Sequence, residues 1–182
     1  IRNKISLNTD WKTIANDTNQ QANNGFEIRD FDDTAWESVN VTHNWDTYYG
    51  YLRKVHGNRH GYALYRKQFT VEKIDTAKRY FLWFEGVGSY ATVWLKGKKV
   101  GYHAGGRTSF TIDISNEITE NNILAVRADH PSGIRDLPWV CGGCSDEWGF
   151  SEGSQPMGIF RPVHLIITND IRIEPFGIHI WN

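Results

Sequence analysis

The stretch RYFLWFEGVGSYATVWLKGKKVG, residues 79–101, decides the fold class of this 182-residue chain. Residues 80–84 are all large and apolar, and in an extended strand they point alternately to opposite faces. Such a strand must be covered on both sides, which predicts a central place in a sheet with a layer packed over it. After a glycine-rich break, residues 91–95 predict a second strand, and the Lys96-Gly97 turn leads into a third that ends near His103. The stretch therefore predicts a meander of close-spaced strands inside a sandwich.

Alternating or β-branched runs recur along the rest of the chain, at residues 63–71, 108–114, 122–129 and 163–168. No segment shows a 3.6-residue period over three turns, and the chain has no internal repeat. Many short strands separated by turns are typical of jelly-roll and immunoglobulin-like folds. We therefore expect an all-β sandwich that forms one domain over residues 1–170.

Three segments outside these runs carry more local predictions. A first strand is expected to end at Trp11, and the polar residues 15–25 are expected to form a surface loop. Residues 31–36 predict a short turn or a single helical turn, with Asp32 or Asp33 as its N-cap. The remaining segment, residues 171–181, is strand-like but interrupted by a proline.

Composition excludes some classes of partner. Lys plus Arg number 20 against 21 Asp plus Glu, so the net charge is −1, which gives no basis for binding nucleic acid or an anionic membrane. There is no apolar run of 18 residues, and the N-terminus has neither an initiator Met nor a signal-peptide core. A processed product or an excised fragment is expected.

Two long loops hold most of the chemical variety. The loop at 45–61 is aromatic and basic, which is compatible either with a carbohydrate platform or with packing against other domains. The loop at 131–156 contains a lone CxxC, Cys141 and Cys144, without the second pair of ligands that zinc usually needs. Disulfide or free thiols are favoured over metal, and a disulfide would fit a periplasmic or secreted protein. No metal and no cofactor is expected.

The acidic residues of the second loop are candidates for glycoside hydrolysis, which needs two carboxylates about 5 to 10 Å apart. Asp146, Glu147 and Glu152 share this loop. Carboxylates on a loop are usually solvated charges, so we assign no catalytic residue to this chain.

A series of short phrases then occurs in a recognisable order. They are FDDTAW (31–36), VNVTHNW (39–45), YRKQF (65–69), FEGV (84–87), VWLKG (93–97), HAGGRTSF (103–110), NILAVR (122–127) and GIFRPV (158–163). As an ordered set they resemble the N-terminal sugar-binding domain of glycoside hydrolase family 2, the β-galactosidase and β-glucuronidase family. Thr42 stands where proline is usual in that family, and Lys96 where asparagine is usual.

The resemblance implies a galactose-binding-domain-like jelly roll that precedes an immunoglobulin-like domain and a TIM barrel. In the family, two glutamates of the barrel perform the hydrolysis with retention. This chain would then be inactive alone, within a parent enzyme that is a retaining, β-galactosidase-like hydrolase and a homo-oligomer in many members. Residues 171–182 would begin the connection to the next domain.

The resemblance also suggests substrate-binding residues. In family β-galactosidases, an Asn or Asp at the His-Asn-Trp position hydrogen-bonds hydroxyls of the galactosyl unit, which implies this role for Asn44; an amide offers both donors and an acceptor. The alternative is that Asn44 caps a turn. His43 could orient the Asn44 loop through a backbone hydrogen bond. An acidic sugar contact is implied at Glu152, with Asp146 or Glu147 as alternatives.

Three functional classes follow. The first is a non-catalytic domain that packs on a catalytic barrel and shapes its sugar pocket. The second is an autonomous carbohydrate-binding module, which would bind glycan without a partner domain. The third is an assembly domain, which predicts a large apolar patch on one sheet face.

Overall fold

The computed structural model describes residues 2–16, 21, 23–45, 61–131, 156–174, 177, 178, 180 and 181. Within these residues the chain forms ten strands in two antiparallel sheets. The strands are β1 (Asn3–Ser6), β2 (Trp11–Asn16), β3 (Glu37–Val39), β4 (Gly61–Thr70), β5 (Lys78–Phe84), β6 (Tyr90–Leu95), β7 (Lys98–Ala104), β8 (Phe110–Asp113), β9 (Asn121–His130) and β10 (Val163–Asn169). The described part of the chain contains no helix, and hence no helix that could cross a membrane.

The two sheets pack face to face as a jelly-roll sandwich, which confirms the predicted fold class. One sheet has four strands in the order β1-β10-β5-β8, and the other has six in the order β3-β2-β4-β9-β6-β7. Strand β5 lies between β10 and β8, as its two apolar faces predict. Its inner face supplies Leu82 and Phe84 to the core, and on its outer face Phe81 is only 4% exposed.

The predicted meander is wrong in one respect. Strands β6 and β7 form a hairpin in the six-stranded sheet, but β5 belongs to the four-stranded sheet. The glycine-containing residues 85–89 therefore carry the chain from one layer to the other instead of turning it back on itself. A connection that crosses between two sheets and a hairpin turn within one sheet leave the same alternating pattern in the strands that they join. The sequence alone therefore did not distinguish the two.

Two smaller expectations near the termini also fail. Trp11 begins a strand instead of ending one, and its buried indole N–H donates to the carbonyl of Leu7 at 2.6 Å. The described residues between 171 and 181 form no strand.

The core between the sheets consists almost wholly of aliphatic and aromatic side chains. Burial of each such side chain stabilises the fold by about 1.5 to 3 kcal/mol. At one edge the sheets approach closely because β7 carries Gly101, where a Cβ atom would overlap the side chain of Ile112 on β8. The largest fully buried members of the core include Trp11, Tyr65, Phe84, Leu82, Leu95, Ile114, Leu124, Met157, Ile159 and Leu165.

A second apolar cluster covers the outer face of the six-stranded sheet. The irregular segment 23–36 lies over this face and buries Phe26 and Trp36 against strand residues that include Leu64. Asp32 caps its last turn, because its Oδ1 accepts hydrogen bonds from the backbone N–H and the hydroxyl of Thr34 at 3.0 and 2.6 Å.

One buried cation fastens this cover to the sheet. Arg66 of β4 is 3% exposed, and its Nε donates to Asp33 Oδ2 at 2.7 Å. Its Nη1 donates to the carbonyls of Phe26 and of Ile28, the latter at 2.8 Å. Because the guanidinium is bonded on several sides, its burial is compensated.

The β6–β7 turn has the geometry that its sequence predicts. Lys96 and Gly97 both adopt positive φ, at 51° and 82°, as a two-residue hairpin turn requires. The left-handed conformation costs a lysine roughly 1 kcal/mol. Lys96 is held there by its N–H, which donates to the carbonyl of Ile123 at 2.8 Å, and by its Nζ, which donates to Thr119 Oγ1 at 3.0 Å.

Candidate functional site: the Asn44 turn

Two segments that are distant in sequence meet around Asn44 at the rim of the sandwich. Residues 41–45, here named the Asn44 turn, lie beside residues 157–159. The backbone N–H of His43 donates to the carbonyl of Ile159 at 2.8 Å, and that of Trp45 donates to the carbonyl of Met157 at 2.9 Å. These bonds fix the turn against a segment that is distant in sequence.

The segment 157–159 is itself paired on its other side. Gly158 and Gly88 exchange two backbone hydrogen bonds of 3.0 and 3.3 Å, an arrangement here named the Gly158 bridge. Met157 and Ile159, on either side of Gly158, are fully buried. The partner of the Asn44 turn is therefore anchored in the core.

The side chain of Asn44 is exposed and oriented. Its Oδ1 accepts a hydrogen bond of 2.9 Å from the backbone N–H of Met157. The turn-capping alternative for Asn44 thus has a specific hydrogen-bond donor, the backbone N–H of Met157. It does not exclude a sugar contact, because an amide carries two N–H donors and a second oxygen lone pair besides. A contact between Asn44 and sugar stays a prediction.

A buried tyrosine supports the turn from the core side, and the sequence analysis did not identify it. Tyr65 of β4 is 0% exposed, and its hydroxyl lies 2.9 Å from Nδ1 of His43. The backbone hydrogen bond expected of His43 is present as well. The only signal for Tyr65 in the sequence is a hydroxyl on the apolar face of an alternating strand.

Burial keeps this pair uncharged at neutral pH. It lowers the pKa of His43 below the ordinary 6.5, and the nearby carboxylate of Glu37 opposes this only in part. It also raises the pKa of the Tyr65 phenol well above its ordinary value of 10.0. The neutral imidazole and the phenol can bond in either direction, since the hydroxyl both donates and accepts.

Glycine at 158 permits this close packing. Its φ is 134°, a backbone conformation that favours glycine. A Cβ atom there would overlap the Tyr65 hydroxyl and would lie 2.9 Å from the carbonyl oxygen of His43. The first residue of the phrase GIFRPV is thus required by the contact between the bridge, the tyrosine and the turn.

Trp45 fastens the far end of the turn. Its indole N–H donates to Thr13 Oγ1 at 3.1 Å, and the Thr13 hydroxyl donates to the carbonyl of Leu64 at 2.8 Å. Its ring also meets the imidazole of His43 edge to face, with centroids 5.4 Å apart. The Asn44 turn is held on both sides of its exposed amide.

The other sequence-predicted site residues lie outside the described part of the chain. They are Cys141, Cys144, Asp146, Glu147 and Glu152, together with the aromatic loop at 46–60. The disulfide and the acidic sugar contact stay predictions. In the sequence, Glu152 is five residues before Met157, the hydrogen-bond partner of Asn44.

Two antiparallel sheets packed around one core define a jelly-roll domain, and the oriented amide of Asn44 lies at its rim. Residues 5–168 match the family described as "Glycosyl hydrolases family 2, sugar binding domain". The chain belongs to this family.

Individual relatives agree with this assignment. The chain is 32% identical to a β-galactosidase of Thermoanaerobacter pseudethanolicus over 176 residues, which cover 95% of this chain and 22% of that protein. It is 32% identical to a β-glucuronidase of Bacteroides fragilis over 139 residues, which cover 75% and 18% respectively. The solved structure of Bacteroides uniformis β-glucuronidase 2 superposes with a TM-score of 0.75 at 26% identity, covering 97% of this chain and 19% of that one. The chain thus spans a minor part of the proteins it matches.

Proposed function

We propose that this chain is the N-terminal accessory domain of a family 2 glycosidase and that it shapes the sugar pocket of a catalytic barrel without cleaving bonds itself. Family membership supports the proposal, as does the small share of each relative that the domain covers. The hydrolysis would be performed, with retention, by two glutamates of the barrel.

The observation that carries the proposal is the exposed, oriented amide of Asn44. Its hydrogen bond to the N–H of Met157 sets the plane of the amide before any sugar arrives. A contact that is pre-oriented loses less entropy on binding than one on a free side chain. Binding energy from such a remote group can be expressed in the transition state and so raise turnover as well as affinity.

We assign a β-galactoside as the substrate. The position of Asn44 in the His-Asn-Trp phrase favours this sugar, and one of the matched relatives is named a β-galactosidase. Another is named a β-glucuronidase, so the discriminating assay compares an aryl β-galactoside with the matching aryl β-glucuronide.

The test uses the full-length protein that carries this domain, with Asn44→Ala and Asn44→Asp. Aspartate keeps an oxygen acceptor for the Met157 N–H and has a second oxygen that can accept from a sugar hydroxyl, so it is the conservative variant and should retain most activity. Alanine removes both contacts, and loss of one sugar hydrogen bond, on the order of 1 to 3 kcal/mol, should lower kcat/KM about 5- to 150-fold in Asn44→Ala.

Asn40→Ala is the matched control. Asn40 also accepts a backbone N–H bond through Oδ1, from Asp10 at 3.2 Å, but it lies outside the Asn44 turn. Wild-type kinetics are expected for this variant. If Asn44→Ala is as active as wild type, Asn44 does not touch the sugar.

We further assign the acidic sugar contact to Glu152, with Asp146 and Glu147 as the alternatives. Its sequence position just upstream of the Gly158 bridge supports this choice. Changing each of the three to glutamine in the same assay distinguishes them: a large loss in one variant identifies the contact, and three silent variants remove all of them.

The C-terminal residues supply the other proposed contact, with the next domain. Of the eight large apolar side chains that are exposed among the described residues, five lie between 171 and 181, namely Ile171, Ile173, Ile178, Ile180 and Trp181. We propose that residues 171–182 begin the connection to an immunoglobulin-like domain, which covers these side chains. Hydrogen exchange at these residues should then be slower in the full-length protein than in the isolated domain. Equal exchange in the two would contradict this assignment.

An autonomous carbohydrate-binding module would behave differently in one measurement. Calorimetry of the isolated domain with galactose and lactose should give no binding tighter than about 1 mM if the domain only completes a pocket. Tighter binding would favour the autonomous module.

A further inference from the structure

We infer that Tyr65 is a positioning residue for the sugar contact: through its hydrogen bond to His43 and its contact with Gly158, it holds Asn44 in the orientation that binds substrate. The inference rests on the proposed role of Asn44 and adds a buried residue that touches no sugar itself.

The first step is that the Tyr65 hydroxyl has a fixed position. Strand β4 is paired on both sides, so that Tyr65 lies between Thr13 of β2 and Val126 of β9. Its side chain is fully buried and meets the ring of Trp11 edge to face, with centroids 6.3 Å apart. A side chain locked on a central strand is a rigid reference point for the rim of the sandwich.

The second step is that this hydroxyl touches both partners of the Asn44 turn. On one side it lies 2.9 Å from Nδ1 of His43, the residue that precedes Asn44. On the other side it packs against the backbone of Gly158, so closely that a Cβ atom there would overlap it. The hydroxyl therefore sets the spacing between the turn and the segment that donates to Asn44.

The third step is that the orientation of Asn44 depends on this spacing. The bond from the Met157 N–H to Asn44 Oδ1 is 2.9 Å long and joins the same two segments. Hydrogen bonds weaken steeply with distance and misalignment, and a displacement of even 1 Å at a substrate contact can cost a large factor in rate. Loss of the hydroxyl would remove a contact from both His43 and Gly158 and leave the spacing to the backbone hydrogen bonds between the two segments, so the amide of Asn44 would be held less precisely.

The test is Tyr65→Phe in the full-length protein, compared with Tyr80→Phe. Tyr80 is also buried, at 2% exposed, and its Oη accepts a hydrogen bond from the Asp75 N–H at 2.9 Å, but it lies in the other sheet. Both variants should lose similar thermal stability. We expect kcat/KM for the galactoside to fall about five- to tenfold in Tyr65→Phe, corresponding to roughly 1 to 1.4 kcal/mol, and to be unchanged in Tyr80→Phe.

A double variant tests the route of the effect. If Tyr65 acts through Asn44, Asn44→Ala combined with Tyr65→Phe should be no slower than Asn44→Ala alone. Losses that multiply would overturn the inference. Two substitutions of His43 provide a second test. In His43→Asn the side-chain amide can take the place of Nδ1, so this variant should retain most activity. His43→Ala should lose as much activity as Tyr65→Phe.

A crystal structure of Tyr65→Phe separates this inference from the proposed function. The bond between Met157 N and Asn44 Oδ1 should be broken or clearly lengthened in the variant. If it persists at its present 2.9 Å, Tyr65 does not position Asn44. If it breaks while Asn44→Ala remains fully active, the positioning is correct and the proposed sugar contact is wrong.

Discussion

Tyr65 and Arg66 are neighbours on β4, and each fastens one irregular segment to the sandwich from an opposite face. Arg66 points outward and binds segment 23–36 through the Asp33 carboxylate and backbone carbonyls. Tyr65 points inward and binds the Asn44 turn through His43. Two adjacent polar side chains thus perform the same local task on two faces of one strand.

The two segments differ in what they carry. The one held by Arg66 buries Phe26 and Trp36, which are 6% and 5% exposed. The one held by Tyr65 ends in the exposed amide of Asn44. Loss of Arg66 should therefore be measured mainly in stability, and loss of Tyr65 mainly in activity.

The largest expected effect is on the Arg66 side. Arg66→Ala leaves Asp33 without its ion-pair partner and exposes buried carbonyls, so the free energy of unfolding should fall by roughly 3 kcal/mol or more. Denaturant unfolding of the domain measures it. Arg29→Ala is the control, since only the backbone carbonyl of this exposed residue faces Arg66, and it should lie within about 0.5 kcal/mol of wild type. Equal losses in both variants would show that Arg66 is no special anchor.

A smaller effect is expected at the Gly158 bridge. Gly158→Ala combines an unfavourable φ with overlap of the Tyr65 hydroxyl, so the free energy of unfolding should fall by about 1 to 3 kcal/mol. The sugar contact of Asn44 should be lost as well. Gly97→Ala also places alanine at positive φ, but its nearest neighbour would be 3.7 Å away, so it reports the backbone cost alone. Should Gly158→Ala cost no more than Gly97→Ala, the contact with Tyr65 is not tight.

The smallest expected effect is a pH dependence of the free energy of unfolding, which arises from His43, the hydrogen-bond partner of Tyr65. Burial lowers the pKa of His43, so the unfolded chain, with its ordinary value of 6.5, binds more protons at mildly acidic pH. The free energy of unfolding should therefore decrease as the pH falls below 6.5. Burial lowers the pKa of His103 as well, so His43 is one of at least two described histidines that contribute to this slope.

His43→Asn should make this slope shallower without removing it, because His103 still titrates. Arg66 keeps its charge throughout this range, so the cover on the outer face should not contribute. Urea titrations at several pH values give the slope. Equal slopes in wild type and in His43→Asn would contradict the assignment of His43 as half-buried and neutral.

Local patterns predicted much of the fold. The double-sided apolar run at 80–84 predicted a central strand, Lys96-Gly97 predicted a hairpin turn, and the pair Asp32 and Asp33 predicted a cap, which Asp32 provides. Each of these depends on residues close together in sequence. The change of sheet between β5 and β6 depends on distant pairing, and alternation does not encode it.

The candidate site also combines a residue that a local pattern predicted with one that depends on contacts between distant residues. Asn44 was found because it stands within a short phrase that resembles a family. Tyr65 was not, because its role arises from contact with His43, 22 residues away in sequence, and with Gly158, which is further still. Only the register of β4 and the Gly158 bridge bring these residues together.

The most direct measurement is a crystal structure of the full-length protein with an unreactive galactoside analogue in its pocket. The distance to determine joins Asn44 Nδ2 to the nearest sugar hydroxyl oxygen. We predict a hydrogen bond of about 3 Å, with the bond from Met157 N to Asn44 Oδ1 retained. A sugar bound in the pocket with every hydroxyl well beyond hydrogen-bonding distance of Asn44 would contradict the proposed function.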